Sequence, residues 1–238
     1  MRVAFFLDFD GTVAKIVDDP RAVSVSGGMI RTLERLREAT GGALAVISGR
    51  EIADLDRFLA PLSLPAAGVH GAEHRGGDGS LRRTAVAGDA LERAAGDLDA
   101  LAALHEGLLV ERKWASVALH YRARPDLAAT TLAAAEGIAR DAGGELVRGK
   151  MVAEIKLTAR TKADAIRDFM DEAPFAGRLP VFAGDDRTDE DGFAALRDWR
   201  GVSIKIGDGE TLANYRMADV DAFERWLAGA ADGWERAA

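Results

Sequence analysis

Short, mainly apolar runs recur along the chain, and each stops at a polar cluster. Val3-Ala4-Phe5-Phe6-Leu7 ends in Asp8-Phe9-Asp10-Gly11-Thr12, and residues 43–47 end in Ser48-Gly49-Arg50. Residues 180–183 end in Gly184-Asp185-Asp186, and residues 202–206 end in Gly207-Asp208-Gly209. Apolar runs of this length predict strands buried on both faces, as in parallel sheets. Between them lie stripes at helical spacing: Ile30, Leu33 and Leu36; Ile52, Leu55, Phe58 and Leu59; Ala165, Ile166, Phe169 and Met170. This alternation predicts an α/β fold built on a doubly wound parallel sheet. Ligands of such sheets bind beyond the carboxyl ends of the strands, where every one of these polar clusters falls.

The middle of the chain has a different rhythm. A helical stretch over residues 91–104 precedes two candidate strands, 108–113 and 116–122, joined by Trp114-Ala115. Along the second, Val117, Leu119 and Tyr121 alternate with Ser116, Ala118, His120 and Arg122, so the two sets face opposite ways. An Ala-rich helix over about residues 126–142 follows. Residues 145–156 then read as strand, turn at Gly149 and strand, with Glu154 and Lys156 on one face. These elements predict a smaller α+β unit over residues 80–157, inserted into a parallel-sheet domain made of 1–79 and 158–238. The stretch Arg75-Gly76-Gly77-Asp78-Gly79 is the expected boundary loop.

Composition narrows the function without naming it. With 48% hydrophobic and 29% charged residues the chain can bury a core, which excludes intrinsic disorder. No apolar run nears the ~20 residues of a membrane span. The start turns acidic at Asp8, unlike a secretory signal, so the expected location is cytoplasmic. The absence of cysteine removes disulfides, thiolate metal sites and a thiol nucleophile. Lys plus Arg is 31 against 39 Asp plus Glu, a net charge of −8, which argues against a nucleic-acid partner.

The chemistry lies in the strand-end clusters. At strand spacing, Asp8 and Asp10 project to the same side, and two close carboxylates are costly to ionise without a cation or proton between them. Gly11 permits a turn, and Thr12 adds a hydroxyl. A plain strand-end turn is the competing reading; a calcium loop of the EF-hand type is excluded by the glycine position. Ser48, with Gly49 and Arg50, precedes a helix and fits either an anion site or an N-cap. Thr161-Lys162-Ala163-Asp164 fits a capping box, with Lys162 in the first turn, where a cation opposes the helix dipole unless an anion is bound. In Gly184-Asp185-Asp186-Arg187-Thr188-Asp189-Glu190-Asp191, helix capping could account for the later acids but not for Asp185. Asp185 with Asp8 and Asp10 would suit a hard cation, Mg²⁺ above all.

Taken in order, Asp8-Phe9-Asp10-Gly11-Thr12, Ser48, Lys162 and Gly184-Asp185-Asp186 resemble the four motifs of the haloacid dehalogenase superfamily of phosphotransferases. The middle unit is similar to that superfamily's α/β cap. Ile47-Ser48-Gly49-Arg50, Gly68-Val69-His70-Gly71-Ala72-Glu73, Gly149-Lys150 with Glu154-Ile155-Lys156, and the acidic loop resemble the trehalose-6-phosphate phosphatase family, from Phe5 to about Gly207. Val13 stands where that family usually has Leu.

The resemblance implies a Mg²⁺-dependent phosphatase that passes through an aspartyl-phosphate. Asp8 would be the nucleophile and Asp10 the proton carrier. Ser48 and Lys162 would hold the phosphate, and Asp8, Asp10 (through its carbonyl) and Asp185 the metal. Asp186 and Asp189 would orient Lys162 or metal-bound water. Substrate contacts would come from Thr12, Gly49, Arg50, His70, Gly71 and Glu73, and from Glu111, Lys113, His120, Arg122, Lys150, Glu154 and Lys156 of the inserted unit. A buried structural role for His70, and a solvated hairpin face for His120 and Arg122, stay open. The length leaves no room for an accompanying synthase domain. The expected enzyme is therefore stand-alone and monomeric, its partner a small sugar phosphate. A phosphatase for sucrose-phosphate or mannosyl-3-phosphoglycerate, or a non-catalytic sugar-phosphate-binding regulator, are the alternatives.

Overall fold

The computed structural model describes residues 2–17 and 19–235. The strands are β1 (Val3–Leu7), β2 (Leu44–Ile47), β3 (Ala66–Gly68), β4 (Glu73–Arg75), β5 (Leu81–Arg83), β6 (Leu109–Arg112), β7 (Ser116–His120), β8 (Glu145–Gly149), β9 (Val152–Lys156), β10 (Leu179–Gly184), β11 (Val202–Ile206) and β12 (Tyr215–Met217). The helices are α1 (Gly27–Ala39), α2 (Ile52–Leu59), α3 (Gly88–Leu104), α4 (Ala128–Ala142), α5 (Lys162–Met170), α6 (Glu190–Ala195) and α7 (Val220–Glu235). The chain divides into two compact units, Met1–Arg82 with Thr161–Ala238, and Arg83–Arg160. Among the described residues no helix is long and apolar enough to cross a membrane.

The first unit is built on a sheet of order β12-β11-β10-β1-β2-β3-β4-β5. Pairing from β12 through β3 is parallel, and β4 turns antiparallel to β3. β1 shows why its strands lack polar alternation. Val3, Phe5 and Leu7 enter a core with Met29, Leu33 and Leu36 of α1, Ile52, Leu55 and Leu59 of α2, and Phe223 and Leu227 of α7. Ala4 and Phe6 face the opposite core, with Ile166 and Phe169 of α5 and Phe193 of α6. Both faces are helix-covered, so both sets must be apolar. The stretch expected as a boundary loop is instead the turn between β4 and β5, closed by Gly79 N–H donating to the Gly76 carbonyl.

The second unit is an antiparallel sheet of order β6-β7-β9-β8. One face carries Val117, Leu119, Ala153 and Ile155, packed on Ala94, Ala95 and Leu98 of α3 and Ala135 and Ala139 of α4. In the pairing, Ser116 stands opposite Lys156 and Ala118 lies between Glu111 and Glu154. This places Glu111, Ser116, Glu154 and Lys156 on the face away from the two helices. The turn between β8 and β9 takes its left-handed residue at Met151 (φ 61°), not at Gly149.

Candidate active site

β1 and β10 are parallel neighbours, so Asp8 and Asp185, which follow them, emerge at the same sheet edge. Asp8 is still tied into the ladder, its N–H donating to the Ala183 carbonyl at 2.9 Å. Its side chain is buried, and Oδ1 accepts from Lys162 Nζ at 2.6 Å. Oδ2 is buried with no hydrogen-bond partner among the described residues. Lys162 comes from the first turn of α5, where Thr161 and Asp164 form the expected capping box. Its ammonium also donates to Asp189 Oδ1 at 2.6 Å. Asp189 Oδ2 accepts from the N–H groups of Asp185 (3.0 Å) and Asp186 (2.9 Å). Asp189 thus shapes the loop after β10 and holds Lys162 at once.

Carboxylate oxygens of Asp8, Asp185 and Asp189 lie within 4.8 Å of one another, and all three residues are buried. Burial pushes the Asp8 carboxyl well above its usual range, Asp189 and Asp185 add to this, and Lys162 opposes it. Burial pulls the Lys162 ammonium down, but Asp189 and Asp8 outweigh it and the net shift is upward. Gly11 completes the wall: at φ 84°, a Cβ there would lie 2.1 Å from Asp185 Oδ2. Three carboxylates, one with an orphaned oxygen, around a space that a single side chain would close fit a hard divalent cation.

Asp10 does not share this cluster. The chain leaves strand geometry after Asp8, with the N–H groups of Val13 and Ala14 folding back onto the Phe9 carbonyl. Strand periodicity therefore no longer aligns the two carboxylates. Both oxygens of Asp10 are held by Arg50, from Nε and Nη2 at 2.7 Å each. Arg50 also donates to the Pro20 carbonyl, and its guanidinium lies 4.9 Å from the Phe58 ring centroid.

Ser48 is buried at the end of β2, and its Oγ accepts from Arg50 N–H at 3.1 Å. Gly49 passes under His70, so that a Cβ there would lie 2.7 Å from His70 Nε2. His70 is buried with φ 55°, after Val69 at φ 47°. Two consecutive non-glycine residues in the left-handed region are sterically strained, a feature that concentrates at functional sites. Gly71 (φ 99°) brings this loop against Thr161, the cap of α5. Glu73 accepts from Ile52 N–H at 2.8 Å and so caps α2, which has no side-chain cap of its own. Thr12 is fully buried, its hydroxyl without a partner among the described residues. Asp186 accepts from Arg187 N–H at 2.7 Å, a local cap.

In the second unit, Glu154 is buried and accepts from Lys113 (3.0 Å) and Ser116 (2.6 Å). Glu111 pairs with His120 Nε2 at 2.7 Å. Burial pushes the Glu111 carboxyl up, but the His120 hydrogen bond and Lys113 reverse this and hold it below its usual range. Lys156 turns to the Arg160 carbonyl at 2.7 Å. Arg122 reaches the Lys150 carbonyl at 3.4 Å, beside the turn between β8 and β9.

Two residues gain weight from the structure. Asp189 holds Lys162, one of the two roles expected of it, and also lies within the carboxylate cluster. Lys205, in β11, is buried and donates to the Asp185 carbonyl at 2.5 Å. Its sequence signal is a lysine between two isoleucines, Ile204 and Ile206.

The trehalose-phosphatase family model matches residues 6–221. Trehalose-6-phosphate phosphatase of Escherichia coli (strain K12) is 41% identical over 228 residues, covering 95% of this chain and 85% of that protein. The crystal structure of a trehalose-6-phosphate phosphatase related protein superposes with a TM-score of 0.84 at 28% identity, covering 99% of this chain and 100% of the other. The C-terminal domain of the C. albicans trehalose-6-phosphate phosphatase, 21% identical, shares the fold with a TM-score of 0.85 over 98% of this chain and 93% of its own.

Proposed function

The chain belongs to the trehalose-phosphatase family, and on that premise we propose that it hydrolyses trehalose 6-phosphate to trehalose and phosphate. The observation that carries the reading is the Asp8 side chain. It is buried at a strand end, with one oxygen held by Lys162 and the other without a partner. A carboxylate so placed is oriented for attack and still has an oxygen to attack with.

In this reading Asp8, Asp185 and the main-chain carbonyl of Asp10 would hold Mg²⁺. When bound, the cation offsets the charge of the clustered carboxylates and of the phosphate dianion. Asp8 attacks phosphorus, the bond from phosphorus to the sugar oxygen breaks, and that oxygen takes a proton from Asp10. Water then attacks the aspartyl-phosphate and gives a proton to Asp10; phosphate leaves and Asp8 is restored. Lys162 and Ser48 face the non-bridging oxygens, where positioning and fixed charge supply most of the catalysis. Asp189 keeps Lys162 in place, and Arg50 keeps Asp10 in place.

Sugar recognition is assigned to the polar sheet face of the second unit, with Glu154, Lys113, Glu111 and His120 as its donors and acceptors. Their mutual hydrogen bonds support this, because pre-ordered polar groups discriminate among hydroxyl patterns. The test is phosphate release with Mg²⁺ from trehalose 6-phosphate, glucose 6-phosphate and sucrose 6-phosphate in parallel. Preference for the first supports the reading. Preference for sucrose 6-phosphate moves the substrate, and no release from any of them removes the enzyme.

A further inference from the structure

Lys205 has no part in the reaction just described, yet it sits beside its centre. It lies in β11, which runs parallel to β10 with Lys205 opposite Gly184, the residue before Asp185. Ile204 and Ile206, on either side of it, enter the core that contains α1 and α7. Strand alternation sends Lys205 to the other face. An ammonium taken out of water is costly unless its donors are used. Its ammonium donates to the Asp185 main-chain carbonyl, at 2.5 Å.

Asp185 is therefore gripped at both ends of its backbone. Its N–H donates to Asp189 and its carbonyl accepts from Lys205. Its carboxylate belongs to the cluster, set against Gly11 in the space a Cβ would fill. We infer that Lys205 is a positioning residue for Asp185, clamping its backbone so that the carboxylate stands where a divalent cation is bound. The inference rests on the proposed metal-binding role of Asp185 and extends it to a residue outside the four motifs.

The test measures Mn²⁺ binding to the substrate-free protein by calorimetry, alongside thermal melting in chelator. Lys205→Met removes the donor and the charge at similar length; Lys205→Gln removes the charge and leaves an amide donor one atom nearer the backbone. Partners that orient metal ligands are worth roughly ten- to a hundred-fold in affinity. Lys205→Met should weaken Mn²⁺ binding by about that factor, and Lys205→Gln should weaken it less. At saturating metal, KM for the sugar phosphate should stay unchanged in both. Unchanged or tighter Mn²⁺ binding in Lys205→Met overturns the inference, since a mere counter-charge would repel the cation. If Lys205→Met does not fold, Lys205→Gln decides alone: weakened binding supports the clamp, and unchanged or tighter binding overturns it, since losing a mere positive charge would favour the cation. A wild-type protein that binds no Mn²⁺ refutes the metal site and the clamp with it. Failure on trehalose 6-phosphate with the binding pattern intact refutes only the substrate.

Discussion

Arg50 grips both carboxylate oxygens of Asp10, at 2.7 Å each, across forty residues of sequence. The pair is bidentate, and the guanidinium is steadied by the Phe58 ring, a geometry that lysine cannot reproduce. Arg50→Lys should therefore misplace the proton carrier while leaving its charge partner. Loss of one charged hydrogen bond is worth about 1.5–3 kcal/mol, so kcat should fall roughly ten- to a hundred-fold. Steady-state kinetics at saturating Mg²⁺ check this. An unchanged kcat with a raised KM would make Arg50 a substrate contact instead.

Asp8→Asn should abolish turnover and also stabilise the metal-free protein. Burial, with Asp189 and Asp185 alongside, holds the Asp8 carboxyl well above its usual range. A raised carboxyl contributes stability that is full below its unfolded value of about 3.9 and is lost as pH rises through the folded value. In chelator, the wild-type melting temperature should fall over that interval relative to Asp8→Asn, which has no proton to lose. Melting curves across a pH series check this, each kcal/mol being worth about 2–4 °C at this size. An Asn variant that melts lower at every pH contradicts it.

Asp185→Ala should raise the Mg²⁺ concentration for half-maximal activity far more than Asp191→Ala. Asp185 belongs to the buried cluster, whereas Asp191 is an exposed acid in the first turn of α6. A Mg²⁺ titration of both variants at fixed substrate separates them. Equal shifts would mean that Asp185 is not a ligand.

Glu154→Gln tests the division of labour between the units. The amide keeps the shape but changes what Lys113 and Ser116 face. kcat/KM for trehalose 6-phosphate should drop roughly ten- to a hundred-fold, the value of a charged hydrogen bond. Hydrolysis of a small aryl phosphate, which makes no sugar contact, should persist. A parallel fall of both substrates, with a lowered melting temperature, would assign Glu154 to the stability of its own sheet.

What could be read from the sequence alone was whatever local physics writes into consecutive residues. An unbroken apolar run ending in Asp8 or Asp185 marks a strand buried on both faces, and parallel strands put such ends on one edge. A cap-forming Thr161 with Asp164 marks where α5 starts, and hence where Lys162 stands. Those rules were enough to put Asp8, Ser48 and Asp185 at strand ends and Lys162 at a helix start, and to foresee two kinds of sheet. Tertiary structure decided the pairings among them. The backbone turns after Asp8, so the expected side-by-side carboxylates part, Asp8 to Lys162 and Asp10 to Arg50. Glu73 caps a helix that begins twenty-one residues earlier, and Lys205 reaches Asp185 only because β11 lies in register beside β10. Such contacts depend on which elements are neighbours and on the residue-level register between them. Neither is a property of any short stretch of chain, since one slip of register turns a side chain to the opposite face.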